Sequence, residues 1–468
     1  MKKIDVGRHG KLLLIFILVM TMLSACTGGA QSELPELPED GSGKIRVMYY
    51  SEQRFMSFYA VPFKVKYPNI EFEIVPASEF YSSVEPNDDY TEKLIEFIKK
   101  KKLDVVLLGQ REYEQVASQG MLYPLDSLVK EENYPIDDFH PGVIEQLRQL
   151  GGNTLYGLAT AFQSSALFYN VDLFEEYGVE LPRHKMSVSE VLELAARFES
   201  KSQKDSERIY GMNSTFMPSG HMLQTFASMA GLQMVDQKAE KILMDSEAWK
   251  SLFIQFVELI KDKKWNIAAS NGYNNYDPSF GEGRSAMTIG YTWMMRQMKA
   301  AQDYNKDKKM FKWGVVTVPI NPAMPDESSE IQMINIFAMT KDSTNKRAAW
   351  EFIKFSAGIE MAKIRGKSSG ELTTRSKYQK DLYGMSVEAF TMLKPSNAPA
   401  VRETMQKNNV SATSFFVNAE KAFDKAFKSV VDGKKTAEQA YEELVPELQQ
   451  HLDEARRKGQ EEQAKKKK

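Results

Sequence analysis

The chain has 468 residues, with 61 Lys and Arg against 63 Asp and Glu and a formal net charge of −2. Hydrophobic residues make up 42% of it and charged residues 26%, which is typical of a globular protein. The near-neutral charge argues against a dedicated nucleic-acid binder, and a single cysteine excludes an internal disulfide and a cysteine-rich zinc module.

The first 25 residues have the pattern of a secretory leader. Four basic residues between positions 2 and 11 precede an apolar run at 12–22 that only Thr21 breaks, and Leu23-Ser24-Ala25-Cys26 follows directly. A helix over that run rises about 16 Å, whereas the core of a bilayer is about 30 Å thick. We therefore predict a signal peptide at 1–25 and no membrane span there.

Residues 26–43 contain two prolines and four acidic residues. Such a stretch buries little apolar surface, so we expect a flexible tether. No later stretch of about 20 apolar residues follows, so the sequence predicts no other membrane span.

The next hundred residues predict strands and helices in alternation. Residues 44–50 and 69–75 alternate like strands, 55–67 and 91–100 have helical spacing, and 103–108 is a continuous apolar run typical of a buried parallel strand. This order predicts an α/β protein with a parallel, doubly wound sheet.

Ligands of such sheets bind beyond the carboxyl ends of the strands. Two polar groups stand at these positions, one after the first strand and one after the third. The candidate ligand-binding residues there are Ser51, Glu52, Gln53, Gln110, Arg111 and Glu112.

The rest of the chain continues the alternation. Residues 155–170 predict two extended pieces with polar residues between them. Further strands are predicted at 285–290, 313–318 and 332–339, with helices at 189–198, 249–261 and 345–356. From residue 414 the pattern predicts helix to the C-terminus.

Several of these segments resemble a known family when taken in order. Leu23-Ser24-Ala25-Cys26 is similar to the bacterial lipobox, in which the cysteine is lipidated; an ordinary secretory signal with an incidental cysteine is the alternative. The body resembles the maltose- and oligosaccharide-binding type of extracellular solute-binding protein of bacterial ABC importers. The similar segments are 103–125, 155–174, 281–293, 313–319 and 345–356.

This resemblance implies a two-lobed α/β fold with parallel-dominated sheets, flanking helices and a multi-strand hinge. Lobe one is expected at 44–162 plus 319–372 and lobe two at 163–318 plus 373–468. The resemblance implies a protein anchored to the membrane through Cys26 and facing the outside, which captures a mono- or oligosaccharide between the lobes and delivers it to ABC permease subunits. It further implies a monomer without enzymatic activity, cofactor, metal or nucleic-acid partner.

Three alternatives stay open at this point. The same fold could serve a membrane sensor in place of a permease, or bind a solute that is not a sugar. A lipid-anchored glycan-active enzyme is the third, although the sequence has neither a G-x-S-x-G nor an H-E-x-x-H motif.

A sugar site needs aromatic rings for the C–H faces of the sugar and directed polar groups for its hydroxyls. Trp293 follows the strand predicted at 285–290 and matches the stacking tryptophan of the family. Gln163 lies in the first predicted crossing between lobes. Glu371 lies in Gly370-Glu371-Leu372-Thr373-Thr374-Arg375, where relatives have a proline in place of Thr373. Phe415, or its neighbour, opens the late helix where the family has aromatic platforms.

Overall fold

A computed structural model describes residues 34–85, 89–202, 204–214, 219–267, 279–304, 310–368 and 370–466. The predicted leader at 1–25 and Cys26 lie outside these ranges. The strands are β1 (Gly43–Tyr49), β2 (Ile70–Pro76), β3 (Val105–Leu108), β4 (Gly157–Asn170), β5 (Tyr210–Ser214), β6 (Trp265–Ile267), β7 (Ser285–Tyr291), β8 (Trp313–Thr317), β9 (Glu327–Ser328), β10 (Ile331–Met339), β11 (Leu372–Thr373) and β12 (Lys394–Pro395).

The helices alternate with these strands along most of the chain. They are α1 (Glu52–Phe55), α2 (Val61–Lys66), α3 (Ala77–Tyr81), α4 (Tyr90–Lys101), α5 (Gln110–Ser118), α6 (Asp126–Glu131), α7 (Val143–Leu150), α8 (Val171–Tyr177), α9 (Val188–Ala196), α10 (Ser219–Met229), α11 (Glu247–Lys261), α12 (Thr292–Tyr304), α13 (Lys346–Ser356), α14 (Ile359–Ser368), α15 (Glu388–Thr391), α16 (Val401–Lys407), α17 (Ala412–Val431) and α18 (Ala437–Lys466). A π-helical turn, Met56–Ala60, joins α1 to α2.

The chain forms two compact units, and each is built from separate stretches of sequence. Unit 1 contains the described chain up to Asp138, then Leu147–Leu158 and Phe337–Ser356. Unit 2 contains Phe139–Gln146, Ala159–Ile336 and Ala357–Lys468. The chain therefore passes from one unit to the other five times.

These units differ from the predicted lobes over 139–146, 159–162, 319–336 and 357–372, which were expected in lobe one and belong to unit 2. The packing explains the difference. Ile320 donates its backbone N–H to the carbonyl of Met186, 2.8 Å away, and Leu372 pairs with Phe162 in an antiparallel ladder. Both partners are unit 2 residues far away in sequence, so the sequence pattern alone does not reveal these contacts.

Unit 1 has the predicted parallel sheet. β1 pairs in parallel with β2 on one side and with β3 on the other. Its core is aromatic: Phe55 lies 5.0 Å from Phe72 between ring centroids, and Phe337 lies 5.1 Å from Phe352. The carboxyl ends of β1, β2 and β3 therefore share one edge of the sheet.

Residues 34–42, expected to belong to a flexible tether, are packed against unit 1. Leu34 is buried, and Asn69 donates its side-chain amide to the carbonyl of Asp40 at 2.6 Å. Gly41, with a φ of +67°, closes a turn in which its N–H bonds the carbonyl of Pro38 at 2.7 Å. The segment is therefore held at the start of β1 and β2.

Unit 2 has a mixed sheet. β5 is parallel to β6 and β7, whereas β4 is antiparallel to β7, β8 and β11. Helices α11, α17 and α18 pack together through apolar faces, with the rings of Phe253 and Phe427 stacked at 5.5 Å.

Two details differ from the sequence predictions. Residues 157–170 form one continuous strand, where two pieces were expected, because the buried Ser164 and Ser165 have hydrogen-bonded hydroxyls within it. The C-terminal helical region is broken at Asp432–Thr436, where Gly433 has a φ of +68° that few other residues adopt.

No helix within the described residues is both long and apolar enough to cross a membrane.

Candidate functional site

Three of the predicted residues converge at one place in unit 2. Phe162 pairs with Leu372, and Ser165 pairs with Tyr291, both in antiparallel ladders with β4. Continuing the first register by one residue places Glu371 level with Gln163, whereas β7 ends at Tyr291 and Trp293 follows it in the first turn of α12. Thr292 Oγ1 donates to the carbonyl of Gly370 at 2.9 Å, which joins the two flanking segments directly.

The side chains at this place suit an amphipathic ligand. Gln163 is exposed in the middle of a strand whose neighbouring positions are buried. Trp293, in the first turn of α12, is half-buried and packs on the unit 2 core. An indole fixed in this way, beside an accessible amide, offers an apolar surface and a hydrogen-bonding group together.

Glu371 has partners within the protein. Its carboxylate accepts from the Arg365 guanidinium and, at 3.3 Å, from the side-chain amide of Asn335. Thr373 donates its backbone N–H to Gln379 Oε1 at 3.0 Å, a bond that the proline of the relatives cannot form. The local backbone therefore has its own hydrogen bonds in place of the proline.

A tyrosine that the sequence interpretation missed lies beside this place. Tyr383 is 36% exposed and has a φ of +55°. Its hydroxyl lies 3.0 Å from the point where a Cβ on Gly370 would stand. No sequence signal points to Tyr383, because only the fold brings it next to Gly370.

A carboxyl with an unusual pKa lies next to the same strand. Ser165 Oγ donates to Glu330 Oε2 at 3.3 Å. Burial raises the pKa of Glu330 to about 7, and the Ser165 hydrogen bond opposes this only in part. Burial, and then the charge of Glu330, also raise the pKa of Tyr291. This group therefore titrates near neutral pH.

Phe415 is a core residue in this structure. Its side chain is 0% exposed and belongs to the apolar cluster of unit 2, so solvent does not reach it. Phe416 is only partly buried, and the Arg402 guanidinium carbon lies 4.7 Å from its ring centroid. Phe416 is thus the member of the pair that reaches the surface.

In unit 1 the residues after β1 and β3 lie at the shared carboxyl edge of the sheet. Ser51 caps α1 by accepting from the backbone N–H of Arg54 at 3.3 Å, and Gln110 begins α5 partly buried. Glu52, Gln53 and Arg111 are exposed on the first turns of α1 and α5.

Glu112 has a structural role at this edge. One carboxylate oxygen accepts from the backbone N–H of Gly109 at 2.8 Å, and the other accepts from the hydroxyl of Tyr90. The first bond closes the N-terminus of α5. Burial, followed by the hydrogen bond from Tyr90 to Glu112, raises the pKa of Tyr90 well above its usual range.

Two exposed tyrosines complete the unit 1 edge. Tyr50, directly after β1, is 45% exposed, and Tyr81, at the end of α3, is 50% exposed. The Arg54 guanidinium carbon lies 5.8 Å from the Tyr50 ring centroid. Tyr50 is the last residue of the strand predicted at 44–50 and was not selected from the sequence, and neither was Tyr81.

Within the described ranges, no group of three or more His, Cys, Asp or Glu side chains is placed to hold a metal ion.

A family model for bacterial extracellular solute-binding proteins matches residues 51–363. The chain belongs to this family. The family identification predicted from the sequence is therefore confirmed, and the two-lobed α/β fold agrees with that of solved structures. A sugar transporter from Rhizobium etli, in an open conformation, has a TM-score of 0.63 and 20% identity, covering 87% of this chain and 99% of that one.

Two further relatives have names that identify a ligand. A solute-binding protein from Agrobacterium vitis with bound D-mannitol has a TM-score of 0.53 and 20% identity, covering 88% of this chain and 98% of its own. A mannitol-binding protein of Pseudomonas aeruginosa is 25% identical over 186 residues. That match spans 40% of this chain and 41% of the relative, so it is a partial one.

Proposed function

We propose that this solute-binding protein captures an uncharged sugar or polyol and delivers it to the permease subunits of an ABC importer. The convergence of Gln163 and Trp293 in unit 2 carries this proposal, because it sets an apolar ring and an amide at one place. A sugar or polyol needs both: C–H groups pack on the ring, and each buried hydroxyl without a partner costs about 1–3 kcal/mol. The mannitol ligands named for two relatives support the same class of solute.

The partners of two candidate carboxylates, one in each unit, favour a neutral ligand. Glu371 is paired with Arg365 in unit 2, and Glu112 is bonded to Gly109 and Tyr90 in unit 1. These two carboxylates are therefore partly neutralised or already hydrogen-bonded, which favours amides and tyrosine rings over them as recognition groups. Tyr383 on one unit and Tyr50 and Tyr81 on the other are the additional stacking candidates.

Capture in this mechanism involves no bond chemistry. The solute binds groups of one unit first, and contacts with the other unit then favour the closed arrangement. A permease that contacts both units distinguishes this arrangement from the empty one.

We propose that the mature chain begins at a lipidated Cys26, with 34–42 docked on unit 1. Eight residue steps separate Cys26 from Leu34, which reach at most about 28 Å when fully extended. Release of the docked segment up to Gly43 would give seventeen steps and about 60 Å. The docking of 34–42 thus sets how far the body reaches from the anchor.

A thermal-shift panel of purified protein tests the solute class. The panel contains D-mannitol, other hexitols, hexoses and oligosaccharides, with amino acids and polyamines as controls. A ligand at 100 times its dissociation constant adds about 2.7 kcal/mol of stability. Stabilisation by amino acids or polyamines alone would overturn the proposed class.

A further inference from the structure

The segment Glu371–Arg375 of unit 2 contacts the places where the chain passes between the units. We name it the anchor segment. Leu372, Thr373, Thr374 and Arg375 are each at most 2% exposed, so the segment is firmly packed. At four of the five passages, a residue of unit 2 forms a hydrogen bond with the anchor segment. Both partners of each of these hydrogen bonds belong to unit 2.

Thr374 forms hydrogen bonds with residues at the first and third passages. Its carbonyl accepts from the backbone N–H of His140 at 2.5 Å, just after the first passage. Its Oγ1 donates to the carbonyl of Ala159 at 2.7 Å, and its N–H to the carbonyl of Thr160 at 3.3 Å. These last two residues follow the third passage.

Arg375 holds the residues at two passages. Its Nε donates to the carbonyl of Ala357 at 2.7 Å, and this is the first residue of unit 2 after the fifth passage. The guanidinium carbon also lies 4.3 Å from the ring centroid of Phe139, the first residue of unit 2 in the chain. A buried cation placed in this way fixes both backbone segments.

The fourth passage is the one with an unusual backbone. Asn335 lies two residues before it, inside β10, with a φ of +54°. A left-handed residue within a strand bends the strand, and asparagine is, after glycine, among the residues that tolerate this conformation best. Two hydrogen bonds hold the bend: Asn335 Nδ2 donates to Glu371 Oε2 at 3.3 Å, and Thr160 Oγ1 donates to the Asn335 carbonyl at 3.3 Å.

We propose that the anchor segment is the fixed base of a hinge, and that Glu371 is a positioning residue that holds the bend at Asn335. Any movement of one unit relative to the other turns on the passages, and the anchor segment fixes their unit 2 ends. Glu371 therefore affects solute affinity by setting the balance between open and closed arrangements, without touching the solute. The proposal rests on the proposed capture mechanism only for its affinity readout.

The first test measures the arrangement of the units without any solute. Spin labels on Ser118→Cys of unit 1 and Lys238→Cys of unit 2, in a Cys26→Ser background, report an interspin distance distribution. We expect Asn335→Ala, Asn335→Gly and Glu371→Gln to shift the populations by about three- to tenfold. Asn335→Gly keeps the left-handed backbone and removes only the side chain, so it remains informative if Asn335→Ala fails to fold. Glu360→Gln, an exposed carboxylate on α14, is the matched control and should leave the distribution unchanged.

The second test compares dissociation constants for D-mannitol and a disaccharide. A change in the competent fraction rescales the affinity of every solute by the same factor. A residue that touches the solute changes the two affinities by different factors. An unchanged distance distribution together with unequal factors for Glu371→Gln would overturn the proposal and make Glu371 a solute ligand. Failure of both compounds to bind would count against the proposed function alone, because the distance test needs no solute.

Discussion

Trp293 is the residue whose loss should weaken solute binding most. Its indole packs on the unit 2 core and is only partly buried, at the start of the helix that follows β7. Burial of such a ring against a solute stabilises the complex by roughly 1.5–3 kcal/mol. We therefore expect Trp293→Ala to weaken affinity about 10- to 150-fold, measured by titration calorimetry.

Trp313→Ala is the matched control for Trp293→Ala. Trp313 is also a half-buried tryptophan of unit 2, with its ring 5.8 Å from Phe168 at the start of β8. Its removal should lower thermal stability and leave affinity within about twofold. Equal affinity losses in the two variants would show that Trp293 acts through stability and not through stacking.

Glu330 should make the stability of the protein depend on pH. Its pKa is raised from 4.5 to about 7 in the folded state, so folding favours the protonated carboxyl. Its stabilising contribution is complete below about pH 4.5 and is lost as the pH rises to about 7. In Glu330→Gln, we expect the loss of unfolding free energy between pH 5 and pH 8 to shrink by about 1–3 kcal/mol.

Urea unfolding at pH 5 and pH 8 measures this difference. The other titrating groups are the same in wild type and Glu330→Gln, so their contributions to the pH dependence of the unfolding free energy cancel in the comparison. The same pH dependence in both would mean that Glu330 ionises in the folded protein as it does in water.

At the scale of elements, the C-terminal helix α18 depends on a close approach at Gly459. A Cβ added there would stand 2.0 Å from the backbone carbonyl oxygen of Asn409. Alanine normally stabilises a helix interior by about 1 kcal/mol relative to glycine, but this clash reverses the sign. We expect Gly459→Ala to destabilise the protein by about 1–3 kcal/mol in urea unfolding.

The adjacent exposed residue Lys458 gives the control for this helix. Lys458→Ala keeps the helix and should change stability by less than about 0.5 kcal/mol. A stabilising Gly459→Ala would mean that α18 and the turn before α17 separate easily in solution.

The elements show how far local patterns determine the fold. Period-two and helical spacing predicted β1, β2, α4, β7 and α13 to within a few residues, because each buries one face locally. β4 was wrongly divided since its serines are satisfied by partners such as Glu330, which no local pattern shows. The break between α17 and α18 did have a signal, Asp432-Gly433, that the helical period obscured.

The candidate site was less predictable than the elements. Trp293 and Gln163 were proposed separately from the sequence, and only the pairing of β4 with β7 and β11, together with the Thr292–Gly370 hydrogen bond, brings their segments near each other. Tyr81, at the end of α3, and Tyr383, beside Gly370, are positioned by the fold and could not be selected from the sequence. The ligand roles of all these residues stay predictions.

For the whole molecule, anchorage through Cys26 predicts where the protein is found. Metabolic labelling with a radioactive fatty acid should mark the wild-type protein, which fractionates with membranes. Cys26→Ser should lose the label and leave the membrane fraction, while its binding of solute is unchanged. A labelled Cys26→Ser variant would place the lipid elsewhere.

The central claim is that Gln163 and Trp293 form the sugar- or polyol-recognising surface of unit 2. Calorimetric titration of the best compound from the panel into wild type, Gln163→Ala, Trp293→Ala and the Trp313→Ala control tests it most directly. We expect saturable binding that weakens at least tenfold in Gln163→Ala and Trp293→Ala and stays within about twofold in the control. Undiminished binding in both Gln163→Ala and Trp293→Ala would contradict it.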